Sequence, residues 1–178
     1  MHLFGHGGHV EVKRGALVAV CVLGTISAAP DSEAQVGSNL KKPPTVLFMC
    51  PRGAAKSVVA SAYFQRLAKE RGLNVRVESA GTEPDPRVSP VVAAHLSRNG
   101  YSMPVSTPRK VTAEELTSAD VVISIGCDLS GLPQPAGRLV RWDEVPPLSE
   151  DFTRADEAIR RRVSALIEEL VLAESKKK

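Results

Sequence analysis

Apolar and polar positions alternate along this 178-residue chain with two different periods, and the change of period predicts its elements. "TVLFMC" (45–50) is a continuous apolar run of strand length, the pattern of a strand covered on both faces. From Ser57 to Arg71 the period becomes helical: Ala60, Tyr63, Phe64 and Leu67 share a face, and Gly72 ends it. "NVRVESAG" (74–81) alternates as a second strand. "SPVVAAHLSRNG" (89–100) reads as a helix, with proline near its start and glycine at its end. "TAEELTSA" (112–119) is a short helix opened by a capping box, Thr112 to Glu115. "DVVISIGC" (120–127) is a third strand and "RLVRWDE" (138–144) a fourth. In the last segment Phe152, Ala155, Ile159, Val163, Leu166 and Leu170 step by three or four with charges between them, which predicts a long amphipathic helix capped by Asp151. Strands alternating with helices predict an α/β domain with a mostly parallel sheet.

Composition changes the picture little in the body of the chain. Hydrophobic residues make up 43% and charged residues 24%, as in ordinary globular domains, whereas aromatics are only 4%. The core must therefore be built from aliphatic side chains. The net charge is +3, and no Lys/Arg stripe is interleaved with aromatics, which argues against a nucleic-acid partner. The first 35 residues differ. Lys13 and Arg14 precede "GALVAVCVLGTISAA", and Ser32-Glu33-Ala34 has the small-x-small form of a cleavage site. Residues 1–34 are read as a secretory signal peptide, 35–44 as a Pro-containing linker, 45–173 as the folded domain and 174–178 as a basic tail. Export to the periplasm or beyond the cell follows from that reading, with no stable membrane span after cleavage. Without a functional signal the protein is cytoplasmic. Cleavage would leave two cysteines, Cys50 and Cys127, which is not a disulfide scaffold for a domain of this size.

The candidate chemistry lies in "CPRGAAKS" (50–57). In open parallel sheets, ligands bind beyond the carboxyl ends of the strands. Cys50 ends the first strand, and residues 51–57 lead from it into a helix. Pro51, Arg52, Gly53, Ala54 and Ala55 form a loop whose small members allow backbone N–H groups to converge on an anion. The helix dipole adds positive potential, Lys56 adds a cation, and Ser57 a hydroxyl within reach of the sulfur. A thiol held in such a place loses its proton readily, and the thiolate is the nucleophile. A nucleotide P-loop is excluded, because that motif needs glycine at positions 50 and 55, which hold Cys50 and Ala55. The plain alternative is a cysteine that merely packs at a strand end.

The strand-Cys-loop-Ser-helix unit, the segment "SAGTEPDPR" (79–87) and the strand "ADVVISIG" (119–126) together resemble the low-molecular-weight protein tyrosine phosphatase superfamily, which also contains thioredoxin-coupled arsenate reductases. The resemblance runs from about Thr45 to Leu172. It implies a small doubly wound sheet of four parallel strands with helices on both faces. It also implies a phosphomonoesterase that works through a phosphocysteine on Cys50, with no cofactor and no metal. Its partner would be a phosphorylated small molecule, a phosphoprotein or an inorganic oxyanion. Three departures stand out. The family carries arginine where this chain has Lys56, and an asparagine that braces the loop where it has Gly53. The family's acid is an Asp before Pro late in the chain, and "RWDEVPPLSEDF" (141–152) has none, which leaves Asp143 or Glu144 as nearest candidates. Cys127 matches the region of a resolving thiol in the reductases, and is otherwise a small buried residue. Arsenate reduction with Cys127 resolving, and a non-catalytic phosphate- or phosphoprotein-binding module, are the two other functions the resemblance leaves open. Trp142 is expected in the core or pocket wall, Tyr63 and Tyr101 in packing, and His95 at a surface or half-buried position.

Overall fold

The computed structural model describes residues 42–176, so the segment read as a signal peptide, most of the linker and the last two lysines lie outside the described residues. The elements are β1 (Thr45–Cys50), α1 (Lys56–Glu70), β2 (Arg76–Gly81), α2 (Pro90–Arg98), α3 (Ala113–Ser118), β3 (Val121–Ser124), β4 (Arg138–Arg141) and α4 (Phe152–Ser175). The four strands form one parallel sheet in the order β2-β1-β3-β4. The chain thus winds one way from β1 to β2 and the other way to β3 and β4. The reversal falls between β1 and β3, and Cys50 is the last residue of β1.

The strict alternation of a strand divides β1 between two cores. Val46, Phe48 and Cys50 face the larger one, shared with α1, α2 and α4. Leu47 and Met49 face the smaller one, shared with α3 and the segments around it. That is why the run reads as apolar at every position rather than at every second one. The few aromatics are concentrated in the larger core, where Phe48 lies between Phe64 and Trp142 with ring centroids 5.4 and 5.9 Å away. All three are fully buried.

The helix caps follow the sequence closely. Thr112 and Glu115 form the reciprocal capping box, and the Asp151 carboxylate accepts from the Arg154 N–H at 3.0 Å. The third strand is shorter than its apolar pattern. It ends at Ser124 because Gly126 takes a positive φ of 69° that turns the chain away, so Cys127 lies past the strand rather than on it.

Tyr63 does more than pack. It and Asp156 join α1 to α4 through a buried hydrogen bond, Arg160 donates to the Tyr63 oxygen at 2.7 Å, and His95 of α2 lies 2.8 Å from the same oxygen. Burial, reinforced by that carboxylate, holds the Tyr63 phenol well above its ordinary range. The network places three helices on one side of β1, and so fixes the wall of the site described next.

Because Phe48 touches both other large aromatics, truncating it removes more than its own area. Phe48→Ala is expected to cost about 3–5 kcal/mol of unfolding free energy, read as a lowered midpoint in urea denaturation.

Candidate active site

Cys50 ends β1 at the edge where the winding reverses, the place where open α/β sheets bind their ligands. Only 2% of it is exposed, yet it forms part of a cavity of about 560 Å³ that opens to solvent. The Cys50 Sγ and the Ser57 Oγ lie 3.2 Å apart, and Ser57 is fully buried. The neutral thiol donates to that oxygen. Once the sulfur ionises, the hydroxyl is placed to donate in return.

The loop is held from outside. The Pro51 carbonyl accepts from the Glu83 N–H at 2.8 Å, the Arg52 carbonyl from Asp85 at 3.0 Å, and the Ala54 carbonyl from Ser89 at 2.9 Å. In a trans peptide the carbonyl and the next N–H point opposite ways. Outward carbonyls therefore turn the amides of Arg52, Gly53 and Ala55 toward the inside of the turn. The Gly53 amide closes the turn on the Cys50 carbonyl at 3.2 Å. Helix α1 begins at Lys56 after Ala55, whose methyl cannot cap it, which leaves first-turn N–H groups for another acceptor. With the Gly53 amide used inside the turn, the Arg52 and Ala55 amides and the first-turn N–H groups of α1 form a cradle suited to a tetrahedral anion.

Two glycines make the fit possible. Gly53 has a φ of +58°, and a Cβ on it would meet the Gly81 nitrogen at 2.8 Å. A Cβ on Gly81 would meet the Gly53 nitrogen at 2.6 Å and the Arg52 carbonyl carbon at 2.9 Å. The loop thus lies main chain against main chain on the end of β2. In the sequence Gly53 stood as the loss of a bracing asparagine; in the structure it is the residue that permits this approach.

The remaining site residues separate into those the fold brings together and those it does not. Pro51, Arg52, Ala54, Ala55 and Lys56 line the cavity with Cys50. The Lys56 ammonium donates to the Val145 carbonyl at 3.2 Å and tethers the segment between β4 and α4. Arg52 reaches outward to the carboxylates of Glu83 at 3.6 Å and Asp85 at 3.9 Å. Asp143 is 56% exposed, 4.0 Å from Arg141, and is not among the cavity's lining residues. Glu144 accepts from Arg162 at 2.6 Å and also lies outside it. The segment expected to supply an acid instead buries Trp142 beside Phe48 and contributes Leu148 to the cavity wall. Cys127 is a free, buried thiol in the smaller core, across the sheet from Cys50. Burial, and next the nearby charge of the Cys50 sulfur, push it up to about 11.

Other cavity residues were not read as site residues from the sequence: Asp85 and Ser89, Val91 and Val92 of α2, and Phe152 at the start of α4. Only Asp85 carried a signal, the Asp85-Pro86 dipeptide within the quoted segment 79–87. The apolar members share their pattern with ordinary core positions.

With this geometry in place, comparison with known proteins settles the relationship. The family model for low molecular weight phosphotyrosine protein phosphatase matches residues 45–132. A structure of arsenate reductase from Archaeoglobus fulgidus is 31% identical, with a TM-score of 0.58, over 69% of this chain and 98% of that one. This chain belongs to the low-molecular-weight phosphotyrosine protein phosphatase and arsenate reductase superfamily. A thioredoxin-dependent arsenate reductase from Corynebacterium glutamicum is 28% identical with a TM-score of 0.65, over 75% of this chain and 65% of that one. A protein-arginine-phosphatase from Bacillus subtilis is 31% identical over 87 residues, which are 45% of this chain and 54% of the relative. The chain therefore spans about two thirds and about half of these last two proteins.

Two measurements check this geometry. Gly81→Ala forces the loop off β2 and is expected to weaken inorganic phosphate binding at least about tenfold by calorimetry, with helical circular dichroism unchanged. Cys127 should stay protonated at neutral pH and gain thiolate only as pH rises toward 11. Its iodoacetamide labelling at pH 8, read by peptide mass spectrometry, is expected to run about a hundredfold or more below that of an unperturbed thiol. Labelling at the rate of a free thiol would overturn the assignment.

Proposed function

We infer that the protein is a cysteine-dependent phosphomonoesterase. Cys50 attacks phosphorus in line and forms a phosphocysteine, and water then releases inorganic phosphate. The backbone N–H groups of Arg52 and of residues 54–57 hold the phosphoryl oxygens, and the Ser57 hydroxyl donates to the thiolate. The observation that carries this reading is Cys50 lining an open cavity, its sulfur 3.2 Å from a buried hydroxyl, followed by a loop whose Pro51, Arg52 and Ala54 carbonyls are bonded to residues 83–89. Val91, Leu148 and Phe152 give the cavity an apolar wall that suits the aromatic group of an aryl phosphate. Lys56 adds positive charge near the loop but lacks the planar fork of arginine, so transition-state stabilisation is weaker than in relatives with arginine there. Arg52 is the cavity's guanidinium, and its carboxylate contacts are exposed ones that an entering dianion can displace.

A reductase reading draws support from Cys127, whose thiol feels the Cys50 charge. In that chemistry arsenate and two thiols give arsenite, water and a disulfide. It predicts a Cys50–Cys127 disulfide after one turnover with arsenate. Export of the mature domain rests on the basic-then-apolar pattern of residues 1–34 and is tested by the N-terminal mass of the protein recovered from its host.

The deciding assay compares the full chain with Cys50→Ser on p-nitrophenyl phosphate. Turnover by wild type, with a loss of at least about a thousandfold in the variant, is the expected result. Equal inactivity of the two removes the phosphatase reading.

A further inference from the structure

Among the described residues that line the cavity, Asp85 is the one carboxylate. Its position is set by the same bonds that hold the loop. The Asp85 N–H donates to the Arg52 carbonyl at 3.0 Å, and the Glu83 N–H donates to the Pro51 carbonyl at 2.8 Å. Residues 83–85 therefore ride on the loop that begins at Cys50, and any shift of one carries the other. Pro84 and Pro86 flank Asp85, which fixes φ on either side and restricts Asp85 to extended backbone. The side chain lines the cavity and is 46% exposed, with the Arg52 Nε at 3.9 Å. Asp143 and Glu144 are engaged elsewhere by Arg141 and Arg162.

Cleavage of an ester with a poor leaving group needs a proton on the departing oxygen. The geometry points to Asp85 as the proton donor to the leaving oxygen, in place of a late-chain carboxylate. This assignment rests on the phosphomonoesterase reading. As the Cys50 sulfur forms its bond to phosphorus, the bond from phosphorus to the leaving oxygen breaks and its electron pair stays on that oxygen. The oxygen takes the proton of the Asp85 carboxyl and departs as an alcohol or phenol, leaving Asp85 as carboxylate. In the second half, that carboxylate takes a proton from water as the water oxygen bonds to phosphorus and the sulfur–phosphorus bond breaks. Inorganic phosphate, thiolate and protonated Asp85 result. The Arg52 contact is compatible with this cycle. An entering phosphoryl dianion draws the guanidinium to itself and frees the Asp85 carboxyl of that contact.

The test uses the full chain and two substrates that differ in leaving group, phenyl phosphate and 2,4-dinitrophenyl phosphate. Asp85→Asn is expected to lower kcat/KM for phenyl phosphate by about 10²–10³-fold and for the dinitrophenyl ester by less than about threefold. Asp85→Glu should restore at least about tenfold on phenyl phosphate. Equal losses on both esters would mean that Asp85 only braces the loop, and would overturn the assignment. So would the same leaving-group dependence in Asp143→Asn instead. Cys50-dependent turnover with Asp85→Asn unaffected overturns the acid alone, whereas absence of Cys50-dependent turnover overturns the acid and the phosphatase reading together.

Discussion

The site depends on how closely two stretches of main chain approach each other. Gly53 and Gly81 stack backbone on backbone, and a single methyl on either would meet the other's peptide at under 3 Å. That contact seats the loop at the end of β2 and puts its carbonyls within reach of the N–H groups of Glu83, Asp85 and Ser89. Those three bonds then orient the intervening amides inward. Loop, thiol and rim carboxylate are thus one mechanical unit, and the unit hangs on the absence of two Cβ atoms rather than on any attractive group. Backbone hydrogen bonds suit this role, since their geometry is narrow and a side-chain brace would cost rotamer entropy. A braced loop without the family's asparagine is therefore no contradiction.

The charges around the cavity tell a less simple story than their positions in the sequence. Lys56, at the family's arginine position, spends a hydrogen bond on the Val145 carbonyl. Arg52 faces two carboxylates on a partly exposed rim. The cradle's own amides and the α1 dipole add positive potential that does not depend on where either side chain points. The difference matters for catalysis more than for binding. A point charge and a cradle hold an anion in its ground state well, whereas the spread of charge over equatorial oxygens rewards a planar fork that grips two of them. The departure at Lys56 therefore separates affinity from rate.

Much of the fold was legible in the sequence because local patterns determine it. The apolar run 45–50, the helical face of α1, the Thr112 capping box and the Asp151 cap all appear where their residues predict them. The centre of the candidate site was open to sequence reading, since Cys50, the small-residue loop and Ser57 are contiguous. What stayed hidden is set by contacts between distant segments. The Asp85-Pro86 dipeptide is the one local mark on Asp85, and its place at the cavity comes from pairing residues 83–85 with 51–52. The region 141–152 was read for an acid because of where it lies in the chain. In the fold Trp142 turns inward beside Phe48, and the adjacent carboxylates turn out to arginines. Tyr63 likewise reads as a packing residue until α4 brings Asp156 and Arg160 to it.

The two cysteines give the sharpest contrast between hydrolysis and reduction. A hydrolase needs one thiol, and water completes the cycle. A reductase needs a second thiol that can reach the first. Alternation along β1 sends the Cys50 side chain to one face of the sheet, while Cys127 packs with Leu47 and Met49 on the other. Burial also keeps Cys127 in the protonated form, which is a poor nucleophile toward a sulfur already bonded to an oxyanion. Hydrolysis asks nothing of Cys127, so the firm hold of that thiol on its proton counts against reduction alone.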